Sequence, residues 1–249
     1  MTKERLELKI LLLQIREDEF TRKEELNEFV RYGQLTAEQF TSLNVFDTPY
    51  FEPNCIDDYD ALFVGGSSDA SVLRPNEYPF VKDTKELLTY CLAKDIPVFA
   101  SCFGFQVVVE ALGGKVILDK EHMEIGAYSM QLTEAAKDDL LLHDTPNGFL
   151  AISGHKERAV SLPEGAILLA SSELCPYHAL KMAGKPFYGF QFHPELDKDD
   201  LASRLTRYCD RYLEDDGLLK QIIDNLQDTP ESNQLIKKFI DRVILGKAK

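Results

Sequence analysis

The sequence predicts an α/β fold: a mostly parallel, mixed central sheet flanked by helices, with a helical appendage at the C-terminus. Three observations predict it. Short apolar runs alternate with helix-period stretches through the first half of the chain, the pattern of strands crossing over through helices. Strand signals then crowd the second half. Beyond Asp216 the pattern becomes helical throughout.

The first strand is read over Leu8 to Ile15, an apolar run bounded by charge on both sides. Glu24 to Tyr32 places Leu26, Phe29 and Val30 at helical spacing. Ala61-Leu62-Phe63-Val64 is a second strand that runs directly into Gly65-Gly66-Ser67. Phe80 to Ala93 has the length and periodicity of a helix. Ile96 to Ala100 is a third strand, and a helix from about Gly104 to Leu112 follows it. Gly113-Gly114 supplies residues that a helix C-terminus favours. Further strands are expected at Lys115 to Leu118, Ala127 to Leu132, Gly148 to Ile152, Ala166 to Ala170 and Phe187 to Phe192. Lys198, Asp199 and Asp200 open a helix carrying Leu201, Leu205 and Tyr208. Residues 217–249 read as two more helices, on Leu218, Ile222 and Leu226 and on Leu235, Phe239 and Val243. Thr229 is the expected N-cap of the last, with Pro230 at its first position. Residues 1–216 are expected to form one domain, with this appendage packed on it.

The charge balance narrows the partners. A net charge of −14 and a pI near 4.8 repel a phosphate backbone over most of the surface, so no nucleic acid is expected. Met1 to Lys9 is charged and lacks the apolar core of a signal peptide. The run Ile10 to Leu13 is too short to span a bilayer, so no membrane association is expected. Five cysteines at Cys55, Cys91, Cys102, Cys175 and Cys209 show neither a disulfide framework nor paired metal spacing. A reducing, cytoplasmic location follows from that usage.

Cys102 differs from the others in its neighbourhood. In Ala100-Ser101-Cys102-Phe103-Gly104-Phe105-Gln106 a buried strand ends and a helix begins at the cysteine. A sharp turn there lifts the side chain from the carboxyl edge of the sheet. The helix N-terminus favours thiolate over thiol. Its first free N–H groups, beginning with Phe103, can point at an oxyanion formed on an attacked carbonyl. A thiolate attacking a carboxamide also needs a base that later protonates the leaving amine. His193 stands at the end of the apolar run Tyr188 to Phe192, and on extended backbone Glu195 shares its face. The carboxylate can then hold the imidazole in its useful tautomer. The other four cysteines are read as buried structural residues.

These segments resemble the class I (triad-type) glutamine amidotransferases, a flavodoxin-like fold, and the resemblance is collinear over about residues 8 to 210. The family's G-x-C-x-G-x-Q elbow appears from Ala100 to Gln106, with Ala100 in place of its first glycine. GxQFHPE is intact from Gly189 to Glu195. Tyr59 to Ser67 resembles the family's oxyanion turn and Ala111 to Val116 the segment after the nucleophile helix. Ser153 to Glu157, with Leu162-Pro163-Glu164-Gly165, resembles its substrate-side loop. Gly154, Lys156 and Glu157 there replace several family choices. The resemblance, which extends to the glutaminase domain of GMP synthases, implies a free-standing glutaminase-like member with Cys102 as thioester-forming nucleophile, His193 as acid and base, and Glu195 as its orienter. It implies an oxyanion hole from the Gly66 and Phe103 backbones, with Gln106, Ser153, Gly154 and His155 meeting the substrate.

No cofactor is expected. His122, His143, His155 and His178 show no ligand spacing, so no catalytic metal is expected, and Gly65-Gly66 is too short for a phosphate loop. The expected activity is a glutaminase that releases ammonia from glutamine, with a separate synthase as acceptor because the sequence carries no ATP-binding domain. A free-standing γ-glutamyl hydrolase acting on γ-glutamyl peptides or conjugates would use the same triad. A catalytically silent binding or regulatory module is the third reading, and retention of Cys102, His193 and Glu195 argues against it.

Overall fold

The computed structural model describes residues 3–208 and 216–247. Cys209 and the Leu218 side chain lie outside the described residues. Eleven strands are formed among them: β1 Ile10–Gln14, β2 Phe40–Asn44, β3 Ala61–Val64, β4 Val98–Ser101, β5 Lys115–Leu118, β6 Glu124–Leu132, β7 Phe149–His155, β8 Glu157–Ser161, β9 Ala166–Ser171, β10 Ala179–Met182 and β11 Phe187–Phe190. The helices are α1 Glu19–Gly33, α2 Phe80–Ala93, α3 Phe103–Ala111, α4 Lys198–Arg207, α5 Asp216–Asp224 and α6 Pro230–Lys238. A π-helical turn, Phe239–Ile244, continues α6.

Nine strands form one sheet in the order β2-β1-β3-β4-β11-β10-β9-β6-β7, and β5 pairs with β8 separately. The first five are mutually parallel; from β11 onward each neighbour is antiparallel. This is the mixed α/β sheet that the strand–helix alternation predicts. No helix among the described residues is long and apolar enough to cross a membrane.

The uniformly apolar strands are explained by a core on each face of the sheet. Side chains alternate along a strand, so Ile10, Leu12, Phe63 and Phe99 enter one core while Leu11, Leu13, Leu62, Val64, Val98 and Ala100 enter the other. The second core is covered by α2 and α3, through Leu87, Leu88, Phe105 and Val108. The first is covered by α1, through Phe29, and by the end of the chain. Leu235, Ile236, Phe239 and Ile240 are all fully buried there. Phe239 meets the rings of Phe63, Phe99 and Tyr188 at 5.8, 5.3 and 6.0 Å. The later part of the segment read as an appendage, from Leu235 to Leu245, therefore packs into that core. Helix α5 lies elsewhere, with Ile222 packing against Ile125, Ile152 and Leu201.

Three strands have no counterpart in the sequence reading. β2 is an edge strand with Thr41 and Ser42 exposed, and β8 and β10 are short and carry charged residues. The expected substrate-side loop is a tight corner between two sheets, because β7, paired with β6, runs to His155 and β8, paired with β5, resumes at Glu157.

Candidate active site

Strands β3, β4 and β11 are adjacent and parallel, so their carboxyl ends open on one edge of the sheet. They deliver Gly65-Gly66, Cys102 and the segment Gln191 to Glu195 to the same place. α/β sheets place their sites at such edges.

Cys102 occupies φ 49°, ψ −101° between β4 and α3, a backbone state that costs a non-glycine residue about 1–3 kcal/mol. It is held there by its N–H to the Phe190 carbonyl at 2.8 Å and by Gln106 N–H to its own carbonyl at 3.0 Å. Gly104 is required by close approach: a β-carbon on it would stand 2.7 Å from the Val64 carbonyl oxygen. Ala100, where the family pattern has glycine, is absent from the positive-φ residues and sits within β4, so a side chain is tolerated. The sulfur is nearly enclosed, with the Gln191 amide 3.9 Å away and the Gly154 carbonyl 4.0 Å away.

Strand β11 ends at Phe190, two residues short of the expected limit, and the chain turns. His193 bridges to β7, donating its N–H to the Ile152 carbonyl at 2.8 Å. Its Nδ1 lies 2.6 Å from Glu195 Oε1, and Ser101 Oγ donates to the same oxygen at 3.1 Å. The His193–Glu195 pairing is thus made within a turn rather than on extended strand. Burial pulls the His193 imidazole down, but the charges of Cys102 and Glu195 outweigh it and push it up to about 10. Burial alone would raise the Glu195 carboxyl; the His193 charge and hydrogen bond override it and hold it below its usual range.

Gly66 closes the opposite side. A β-carbon there would lie 2.7 Å from His193 Cε1 and 3.5 Å from Cys102 Cβ, so only glycine brings this backbone against both. The turn is braced from beneath by a buried pair, Arg16 to Glu25 at 2.9 Å. Arg16 and Arg204 line a small cavity behind His193, and Arg204 pairs with buried Glu28 at 2.6 Å. Burial raises the Glu28 carboxyl to about 8 against the pull of Arg204.

A cavity of about 110 Å³ opens in front of Cys102, and Gln106, Gly154 and His155 are on its wall. So are Asp69, Arg74, Lys156 and Glu157, none of which the sequence reading assigned to substrate, apart from the loop that Lys156 and Glu157 share. The Gln106 amide donates to the Glu157 carbonyl at 2.8 Å. Ser153 is fully buried and does not line the cavity. His155 is fixed from behind: its Nε2 lies 3.0 Å from Glu124 Oε2, which also meets His178 Nε2 at 2.6 Å. Burial would raise Glu124, yet these two imidazoles hold it well below the carboxylate range. Cys175 joins this buried cluster, its donor atom within 4.8 Å of those of His155 and His178. Burial pushes its thiol up to about 12. A lone glutamate at the start of β6 gave no sequence signal for this arrangement.

Comparison with known proteins agrees with this geometry. The family described as glutamine amidotransferase class-I matches residues 36–208. The GMP synthase [glutamine-hydrolyzing] of Aquifex aeolicus is 33% identical over 190 residues, covering 72% of this chain and 35% of that protein. One subunit of the GMP synthase [glutamine-hydrolyzing] of Methanocaldococcus jannaschii is 30% identical over 132 residues, covering 53% of this chain and 68% of that protein. The chain thus spans about a third of the length of the bacterial relative. Among solved structures, a glutamine amidotransferase of Thermotoga maritima superposes with a TM-score of 0.76 at 20% identity, over 95% of this chain and 98% of that one. A glutamine amidotransferase of Methylobacillus flagellatus gives 0.73 at 20%, over 98% and 96%. With well over half of its length matched, and with an elbow cysteine facing a His–Glu pair across a glycine turn, the chain belongs to the class I glutamine amidotransferase family.

Proposed function

We propose that this protein hydrolyses the side-chain amide of glutamine and releases ammonia. The observation that carries the reading is the convergence of Cys102, on its strained elbow, with the His193–Glu195 pair and the Gly66 backbone at one sheet edge. The Cys102 sulfur attacks the amide carbon, forming a C–S bond while the carbonyl electrons move onto oxygen. Backbone N–H groups of Gly66 and Phe103 receive that oxyanion. As it collapses, the C–N bond breaks and His193 gives its proton to the departing ammonia. Water then attacks the thioester, His193 takes its proton, and glutamate leaves with the cysteine restored.

The cavity supports an amino-acid substrate. Asp69 and Glu157 can meet an ammonium, and Arg74 and Lys156 a carboxylate, on the wall beside the nucleophile. Similarity to a relative named as one subunit of a GMP synthase supports delivery of the ammonia to a separate synthase chain.

The test measures ammonia from glutamine and amine from γ-glutamyl dipeptides, with wild type beside Cys102→Ala. Cys102-dependent ammonia from glutamine is expected. Preferential cleavage of dipeptides would instead make the protein a γ-glutamyl hydrolase, and activity surviving in Cys102→Ala would overturn the nucleophile.

A further inference from the structure

The family match ends at residue 208, yet one residue beyond it touches the catalytic turn. Asn233, in the first turn of α6, donates its amide nitrogen to the Pro194 carbonyl at 2.9 Å and to the Leu196 carbonyl at 2.7 Å. These are the carbonyl oxygens of the two residues that flank Glu195. Asn233 is 6% exposed and Thr229, beside it, 1%, so water does not replace these bonds.

The amide has one workable orientation. Thr229 Oγ1 donates to Asn233 Oδ1 at 3.3 Å, which turns the NH2 group towards the two carbonyls. The flipped amide would set its oxygen against two other acceptors. The rest of α6 cannot shift to relieve such a mismatch, because Leu235, Ile236 and Phe239 are locked into the core under β3 and β4.

The consequence reaches the site through a short path. Glu195 Oε1 holds His193 Nδ1, and the direction of that carboxylate is set by the backbone from Pro194 to Leu196. The imidazole faces Cys102 in front, with Gly66 against its edge and Arg16 and Arg204 lining the cavity behind. Its tautomer and aim depend on a carboxylate whose own backbone is clamped from the C-terminal helix. We infer that Asn233 is a positioning residue, a strut by which the segment outside the family match sets the geometry of the His193–Glu195 pair. This role rests on the catalytic reading of Cys102 and His193 given above.

The strut acts on orientation, so its loss is read in chemistry more than in substrate binding. Displacements near 1 Å in a catalytic constellation cost on the order of 10²-fold in rate. Asn233→Asp keeps the shape and removes both donors; Asn233→Gln keeps the NH2 group. The test follows iodoacetamide alkylation of the Cys102 peptide by mass spectrometry across pH, beside kcat and KM for glutamine. In Asn233→Asp, kcat is expected to fall roughly 10²-fold with little change in KM. Its Cys102 is expected to alkylate more slowly than in wild type, because the imidazole is no longer aimed at the sulfur. Asn233→Gln should recover part of both.

A folded Asn233→Asp protein with the wild-type kcat and alkylation profile would overturn the inference. Thr229→Val, which removes only the hydroxyl that orients the amide, gives a milder version if Asn233→Asp does not fold; wild-type behaviour there overturns it equally. Wild-type protein whose Cys102 alkylates no faster than half-buried Cys55 would instead remove the catalytic reading, and the strut with it.

Discussion

A β-carbon on Gly66 would stand 2.7 Å from Cε1 of His193, closer than real β-carbons approach another atom. The contact packs the turn after β3 against the imidazole, so the Gly66 backbone, proposed to receive the oxyanion, and His193 cannot move independently. Gly66→Ala is expected to lower kcat by about 10²–10³-fold, the scale of losing an oxyanion donor. The added carbon would also press on buried Arg16 at 3.2 Å, so the melting temperature is expected to fall too, on the scale of the roughly 1–3 kcal/mol that an overpacked site costs. Steady-state ammonia release beside a circular dichroism melt checks both; an unimpaired Gly66→Ala enzyme would exclude this turn from the oxyanion hole.

His193 links the site to stability through pH. It binds its proton more tightly in the fold, up to about 10, than in the unfolded chain, where histidine titrates near about 6.5. The resulting stabilisation is full below about pH 6.5 and is lost as pH rises through about 10. The gap in melting temperature between wild type and His193→Asn should therefore narrow from pH 6.5 towards 10. A constant gap would show that Cys102 and Glu195 do not hold the imidazolium.

Phe239 tests whether the end of the chain belongs to the main core. It is fully buried against Phe63, Phe99 and Tyr188. Phe239→Ala is expected to cost about 3–5 kcal/mol, the usual loss for a core phenylalanine. Urea titration gives the number, and a cost below about 1 kcal/mol would be that of a peripheral helix.

Arg74 tests substrate recognition. Its side chain lines the cavity and is half-exposed. Arg74→Ala is expected to raise KM for glutamine about tenfold or more with kcat held, from the loss of a charged hydrogen bond. A fall in kcat at constant KM would place Arg74 in the chemistry instead.

How much was legible varied with how local the encoding is. Ala61 to Val64, Phe80 to Ala93 and Lys115 to Leu118 were readable to the residue, because each is a clean apolar period with turn residues at its ends. That Cys102, Gly66 and His193 meet at one sheet edge was readable because the proposed chemistry needs particular residue types at strand ends. β2 was not, since an exposed edge strand with Thr41 and Ser42 carries no apolar signal. Nor was Asn233, a single polar residue 39 positions from Pro194 with nothing local to distinguish it.

By itself the sequence determined the alternation that makes an α/β sheet, the cysteine at its elbow, and the His–Pro–Glu segment that faces it. Periodicity and residue chemistry act within a few positions, so they survive in one dimension. Only the tertiary structure decided that the last helix fills the core beneath β3 and β4, that Cys102 bears φ 49°, and that Asn233 clasps both carbonyls around Glu195. Those outcomes depend on burial summed over segments far apart in the chain, and no short window of residues contains that sum.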